Sequence, residues 1–146
     1  MFYLDTSYLV KCYLNEPGTS YVLNWIEGKT GLSCSLHGRL ELWTTLCRHQ
    51  REGRITKQEF QLVAASIQND EDNAVWTWLN LSRDTISAAC STVETISRGS
   101  FLRSADALHL ACASENGFKS VYSHDKIMLA SAKHFGLKGI DVIEGI

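Results

Sequence analysis

Phe2-Tyr3-Leu4-Asp5-Thr6-Ser7 is the stretch on which the fold turns. Three apolar residues in a row read as a short buried strand, and an acid followed by two hydroxyls reads as the start of a helix running to about Leu14. The same change of pattern recurs along the chain. After the break at Asn15-Glu16-Pro17-Gly18, Thr19 or Ser20 caps a helix carrying Tyr21, Val22, Trp25 and Ile26 and stopped by Gly28. Residues 32–35 read as a second short strand, followed by a longer helix with Leu36, Leu40, Trp43 and Cys47 at helical spacing and Gly53 as its stop. Thr56-Lys57-Gln58-Glu59 is a capping box for a helix whose apolar face is Phe60, Val63, Ala64 and Ile67. Residues 75–81 suit a strand, Ser82 caps a helix to about Arg98, and Ser104 caps another over 105–115. A strand over 120–123, a helix over 126–135 closed by Gly136 and a last strand over 140–143 complete the series. Strand and helix in alternation imply crossover connections, so the expected architecture is an α/β class, three-layer α/β/α sandwich with a central mostly parallel sheet.

Composition sets the outer limits. The 146 residues carry 14 Lys+Arg against 16 Asp+Glu, a formal charge of -2, with 45% hydrophobic and 21% charged residues. These values exclude a disordered, collagen-like or coiled-coil chain. A chain of about 150 residues buries roughly 70% of its unfolded surface, enough for a core without disulfide or metal staples. Pro17 is the only proline, and neither a linker nor a repeat interrupts the pattern, so one domain over 1–146 is expected. Cys12, Cys34, Cys47, Cys90 and Cys112 contain no C-x-x-C pair and read as reduced thiols acting as small buried hydrophobes. Asp70-Glu71-Asp72 reads as a solvated turn. No apolar stretch approaches membrane-spanning length, and a cytoplasmic location with no membrane partner is expected.

In an open parallel sheet, ligands bind beyond the carboxyl ends of the strands. Asp5 closes the first strand, Asp125 follows the fourth, and Asp106 stands in the first turn of the helix capped by Ser104. Glu41, about two turns into the long helix, leans over the same edge. Singly, each has an ordinary explanation, because helix dipoles favour acids in a first turn and Asp forms turns after strands. Together they are different. No Lys or Arg adjoins Asp5 or Asp106 in sequence, and crowded carboxylates repel unless a cation neutralises them. Mg²⁺ and Mn²⁺ prefer oxygen ligands and a few carboxylates beside a phosphate, and such an ion can activate a water for attack on a phosphodiester.

At these residues the chain resembles the PIN-domain ribonucleases, and within them the VapC-type toxins of toxin–antitoxin pairs. Residues 2–11 are similar to the family's opening strand, and Glu16-Pro17-Gly18 to the segment downstream of that strand. Arg39-Leu40-Glu41-Leu42 resembles the second acidic motif, Ser104-Ala105-Asp106-Ala107-Leu108-His109-Leu110-Ala111 the third and most specific, and Ser123-His124-Asp125-Lys126 the fourth. The resemblance implies an endoribonuclease that uses one or two Mg²⁺ or Mn²⁺ ions to hydrolyse single-stranded or looped RNA. Asp5, Glu41, Asp106 and Asp125 are then the candidate catalytic and metal-binding acids, with Thr6, Ser7 and Ser123 orienting carboxylates or waters. A cognate antitoxin protein and a second copy of the chain are the implied partners.

Other residues keep two readings. His109, three positions after Asp106, either faces a metal or packs in the core, and His124 beside the fourth acid has an open role. Arg48, two turns beyond Glu41, either holds an RNA phosphate or pairs with Glu41 or Glu52. Trp76 and Trp78 divide between core and a base or partner. Two other functions compete. A haloacid-dehalogenase-like phosphatase needs a second Asp where this chain has Ser7, and a non-catalytic PIN-like scaffold usually lacks one or more of the four acids.

Overall fold

The computed structural model describes residues 1–96 and 101–143. Strands Phe2–Leu4 (β1), Leu32–Ser35 (β2), Trp76–Leu79 (β3), Ser120–Tyr122 (β4) and Lys138–Ile140 (β5) form one sheet in the order β3-β2-β1-β4-β5, every neighbouring pair parallel. Helices Thr6–Lys11 (α1), Thr19–Ile26 (α2), Leu36–Arg51 (α3), Lys57–Asp72 (α4), Arg83–Thr95 (α5), Ser104–Glu115 (α6) and Lys126–Ser131 (α7) cover it, and a 3-10 turn spans Ala132–Phe135.

Side chains alternate across β1 and so serve two cores. Tyr3 joins Ala107, Leu110, Ala111, Val121 and Met128 on the face covered by α5, α6 and α7. Leu4 joins Tyr8, Leu9, Leu32, Leu42, Leu46 and Ile67 on the face covered by α1 to α4. The three-layer expectation holds, with all five strands parallel among the described residues. Because β1 lies at the centre, the residue after it, Asp5, emerges in the middle of the sheet's carboxyl edge between β2 and β4.

Several local expectations are corrected. Helix α1 ends at Lys11, and the chain continues in turns in which Leu14 N–H donates to Val10 O at 2.8 Å. The buried stripe of α3 is Gly38, Leu42, Leu46 and His49, whereas Leu40 is 61% exposed. A glycine and a histidine, invisible to a count of apolar residues, mark the face that packs. Arg103, not Ser104, is the N-cap residue of α6, and its side chain makes no cap bond. The last strand runs over Lys138–Ile140, earlier than expected, because Gly139 lets β5 pass close to α7: a Cβ there would lie 2.7 Å from Leu129 O. Asp70-Glu71-Asp72 is the end of α4, with Asp70 accepting from the Tyr13 hydroxyl at 2.7 Å and Glu71 paired with Arg39. Trp76 and Trp78, two apart on a strand, share one face and stack 5.9 Å apart, so neither is turned outward. All five cysteines are free, but Cys90 is exposed, against the expectation of burial. The expected end of the fifth helix at Arg98 falls outside the described residues.

Candidate active site

Beyond the carboxyl ends of β1 and β4 lies a cleft of about 220 Å³ lined by Asp5, Thr6, Ser7, Glu41, Arg103, Asp106, His109 and Asp125, among others. Four separate segments deliver the acids: the β1–α1 junction, α3, α6, and the N-cap of α7. All four sequence-derived acids meet here.

Asp5 is buried and heavily partnered. Its Oδ1 accepts from Ser7 Oγ at 2.7 Å and from Tyr8 N–H at 3.1 Å, and its Oδ2 accepts from Ser123 Oγ at 2.6 Å. The Tyr8 bond makes Asp5 the N-cap of α1, so the helix start and the site share one side chain. Burial pushes the Asp5 carboxyl above its ordinary range, against the pull of His109 and the two serines. Ser7 and Ser123 also tie the loop after β4 in place: Ser7 Oγ accepts from His124 N–H and Ser123 Oγ from Asp125 N–H, each at 2.9 Å.

Glu41 is held from below. Its Oε2 accepts from the Thr6 hydroxyl and stands 3.0 Å from His109 Nε2, while the other ring nitrogen of His109 faces the Tyr3 hydroxyl at 2.8 Å. The ionised Glu41 carboxylate can only accept, so His109 Nε2 carries a proton and donates to it, and in the neutral ring Nδ1 accepts from the Tyr3 hydroxyl. Both ring nitrogens are occupied, and His109 positions Glu41 instead of facing a metal. His37 Nε2 adds an electrostatic contact 3.4 Å from Glu41 Oε1, outside hydrogen-bond geometry. Burial alone would raise the Glu41 carboxyl, but the bonds from His109 and Thr6 and the two imidazoles outweigh it and hold it down at about 2.

Asp106 and Asp125 share a partner that sequence reasoning missed. Arg103 Nε lies 3.2 Å from Asp106 Oδ2, and Arg103 Nη2 lies 2.6 Å from Asp125 Oδ2. The i,i+3 spacing of Arg103 and Asp106 was the available signal. Burial raises Asp106, with the negative charge of Asp125 adding to it and Arg103 opposing. Asp125 Oδ1 caps α7 by accepting from Ile127 N–H at 2.8 Å and Met128 N–H at 3.1 Å. His124 turns away from the cleft and pairs through Nδ1 with Asp141 Oδ2 at 2.7 Å. Arg48 is exposed and outside the cleft; Glu52 pairs with Arg54 instead, at 2.9 Å.

Among the described residues no three His, Cys, Asp or Glu side chains stand close enough to hold one ion in this arrangement. Arg103 occupies one side of the cleft, and Thr6 and His109 draw Glu41 to the other. The donor set nonetheless consists of carboxylate oxygens, two of them on buried acids whose ionised forms lack full compensation, and this is chemistry that suits a hard divalent cation with waters completing its shell.

The family model for the PIN domain matches residues 2–134. The chain belongs to the PIN domain family. Ribonuclease VapC47 of Mycobacterium tuberculosis (strain CDC 1551 / Oshkosh) is 28% identical over 142 residues, covering 93% of each chain. Among solved structures, the VapC20 sarcin-ricin loop cleaving toxin of Mycobacterium tuberculosis is similar at a TM-score of 0.68 with 19% identity, over 90% of this chain and 95% of that one. FitAcB from Neisseria gonorrhoeae is similar at 0.69 with 12% identity, over 99% and 100%. VapBC2 from Rickettsia felis, bound to a DNA fragment from its promoter, is similar at 0.65 with 12% identity, over 97% and 98%. These structures share the fold. No described helix is long and apolar enough to cross a membrane.

Proposed function

We infer that this protein is a metal-dependent endoribonuclease acting as the toxin of a type II toxin–antitoxin pair, its 146 residues working as one PIN domain. The observation that carries the reading is the meeting of Asp5, Glu41, Asp106 and Asp125 in one cleft of a PIN-family chain. A bound Mg²⁺ or Mn²⁺ would lower the pKa of a coordinated water and offset charge developing on the phosphodiester. Asp5, Asp106 and Asp125 are its proposed ligands. Ser7 and Ser123 fix the rotamer of Asp5, so the most buried ligand would be pre-set before the ion arrives. Glu41, kept ionised by Thr6 and His109, is the acceptor that orients the attacking water or completes the ligand set through it. The proposed partners are a cognate antitoxin and a second copy of the chain, by likeness to a family with toxin–antitoxin complexes among its solved structures. The proposed place of action is the cytoplasm.

The test is cleavage of labelled single-stranded and hairpin RNA by the purified protein. Asp5→Asn and Asp106→Asn are each expected to lower the rate by about a hundredfold or more, the cost of removing a charge-stabilising group from an active site. EDTA is expected to stop cleavage and Mn²⁺ to restore it. Cutting that persists in both variants, or that ignores the chelator, overturns the carboxylate and metal mechanism, whereas a parent protein that cuts no RNA with Mn²⁺ present overturns the reading in favour of a protein that binds without cutting.

A further inference from the structure

Arg103 spans two of the acids that the proposed function gives to the cation. Its contacts fall on Asp106 Oδ2 and Asp125 Oδ2. The other oxygen of Asp125 is already committed to two backbone N–H groups of α7, so Arg103 takes the one oxygen that α7 leaves open. The arginine comes from solvent: its side chain is 66% exposed, against 12% for Asp106 and 26% for Asp125. As the N-cap residue of α6 it has extended backbone, and its side chain makes no cap bond to the helix backbone, so the guanidinium can leave Asp106 without unmaking the start of α6.

We propose that Arg103 is an exchangeable counter-ion of this site, occupying the Asp106 and Asp125 oxygens until a divalent cation takes them and then turning to the RNA phosphate at the same rim. The proposal rests on the metal-dependent reading. Two positive groups compete for the same oxygens, and a divalent ion bound there repels the guanidinium and neutralises the charge that holds it. The displaced guanidinium stays tethered within the cleft's rim, and its planar fork of donors suits a phosphodiester's paired oxygens. Cation and RNA would then bind with mutual assistance, because the phosphate gives the displaced arginine a new partner.

The test uses the full-length protein with two separate readouts. Mn²⁺ binding without RNA, measured by the electron paramagnetic resonance of free Mn²⁺, is expected to tighten by about fivefold or more in Arg103→Ala, since the competitor is gone. In cleavage of a labelled single-stranded RNA at saturating Mn²⁺, the same variant is expected to raise KM by about tenfold while kcat changes little. Arg103→Lys keeps a charge but not the fork, so it is expected to leave Mn²⁺ affinity near that of the parent and still raise KM. Unchanged or weaker Mn²⁺ binding in Arg103→Ala, with Asp106→Asn abolishing it, overturns the exchange while leaving the metal site standing. Parent protein that binds no Mn²⁺, or Asp106→Asn that binds it equally well, overturns both. Circular dichroism of each variant confirms the fold, which an exposed side chain is not expected to affect.

Discussion

Gly38 lies one turn before Glu41 on α3, and a Cβ added there would meet His109 Cε1 at 2.8 Å as well as the Cys34 sulfur. The glycine is what lets α3 come close enough for Thr6 and His109 to reach Glu41. Gly38→Ala is therefore expected to cost about 1–3 kcal/mol by overpacking and to lower RNA cleavage beyond that, because Glu41 moves with its helix. Denaturant midpoints and cleavage rates measure the two effects, and an unchanged midpoint would mean that α3 gives way freely. Tyr3→Phe removes a hydroxyl and leaves buried His109 Nδ1 without its donor, a loss of about 1–3 kcal/mol by the same denaturation assay. It also frees His109 to move its proton to Nδ1, which would take the donor away from Glu41. Asp5, Asp106 and Asp125 were legible in the sequence because each sits at a strand end or helix start, and Glu41, farther along α3, because of the motif around it. Arg103, Gly38 and Tyr3 were not, because their roles depend on neighbours distant in the chain: Tyr3 and His109 are 106 positions apart.

Elements with local chemistry of their own were the most readable. The capping box at Thr56 is formed as expected, with Thr56 Oγ1 accepting from Glu59 N–H at 3.1 Å and Glu59 Oε2 accepting from Thr56 N–H at 2.7 Å. Thr56→Ala is expected to cost about 1 kcal/mol in thermal or chemical unfolding and to leave RNA cleavage at the parent rate. The face of α3 and the place of β5 escape a count of apolar residues for one reason: Gly38 and Gly139 carry no side chain to count, yet the fold uses each to bring two elements together. The segment after β5 carries a second local device. Asp141 accepts from the Tyr8 hydroxyl at 2.6 Å, Ile143 N–H at 2.9 Å and His124 at 2.7 Å, fastening the 141–143 segment to α1 and to the loop after β4. Burial alone would raise this carboxyl, but those bonds outweigh it and hold it below the usual range. A carboxylate with a depressed folded pKa contributes stability above its unfolded value, about 3.9, and loses it as pH falls through the folded one. Asp141→Asn is thus expected to be less stable at neutral pH and to show a shallower loss of stability below about pH 4, in denaturation curves taken across that range.

At the scale of the whole molecule, the sheet order was beyond sequence reasoning, since alternating elements announce a parallel sheet without saying which strand is central. With β1 in the middle, Asp5 and the loop after β4 converge on one edge, and the charge balance gains a location. Setting aside the four cleft acids leaves 14 basic against 12 acidic residues, so the negative charge that matters is gathered in the cleft and the remaining surface is only weakly positive. A phosphate chain approaching such a protein meets no broad basic field. On the proposed function, its attraction would come from the cation held by the acids and from one or two arginines, Arg103 at the rim first. The expected consequence is a mild salt dependence. With about two phosphates neutralised by side chains, single-strand binding falls with a log–log slope of roughly -1.4, or about sevenfold between about 50 and 200 mM monovalent salt. KM for a labelled single-stranded RNA, measured across that range at fixed saturating Mn²⁺, reads the slope directly. A rise in KM of a hundredfold or more across that range would place many basic side chains on the RNA and draw the substrate path across α3, where Arg48 and Arg51 lie, instead of along the acidic cleft.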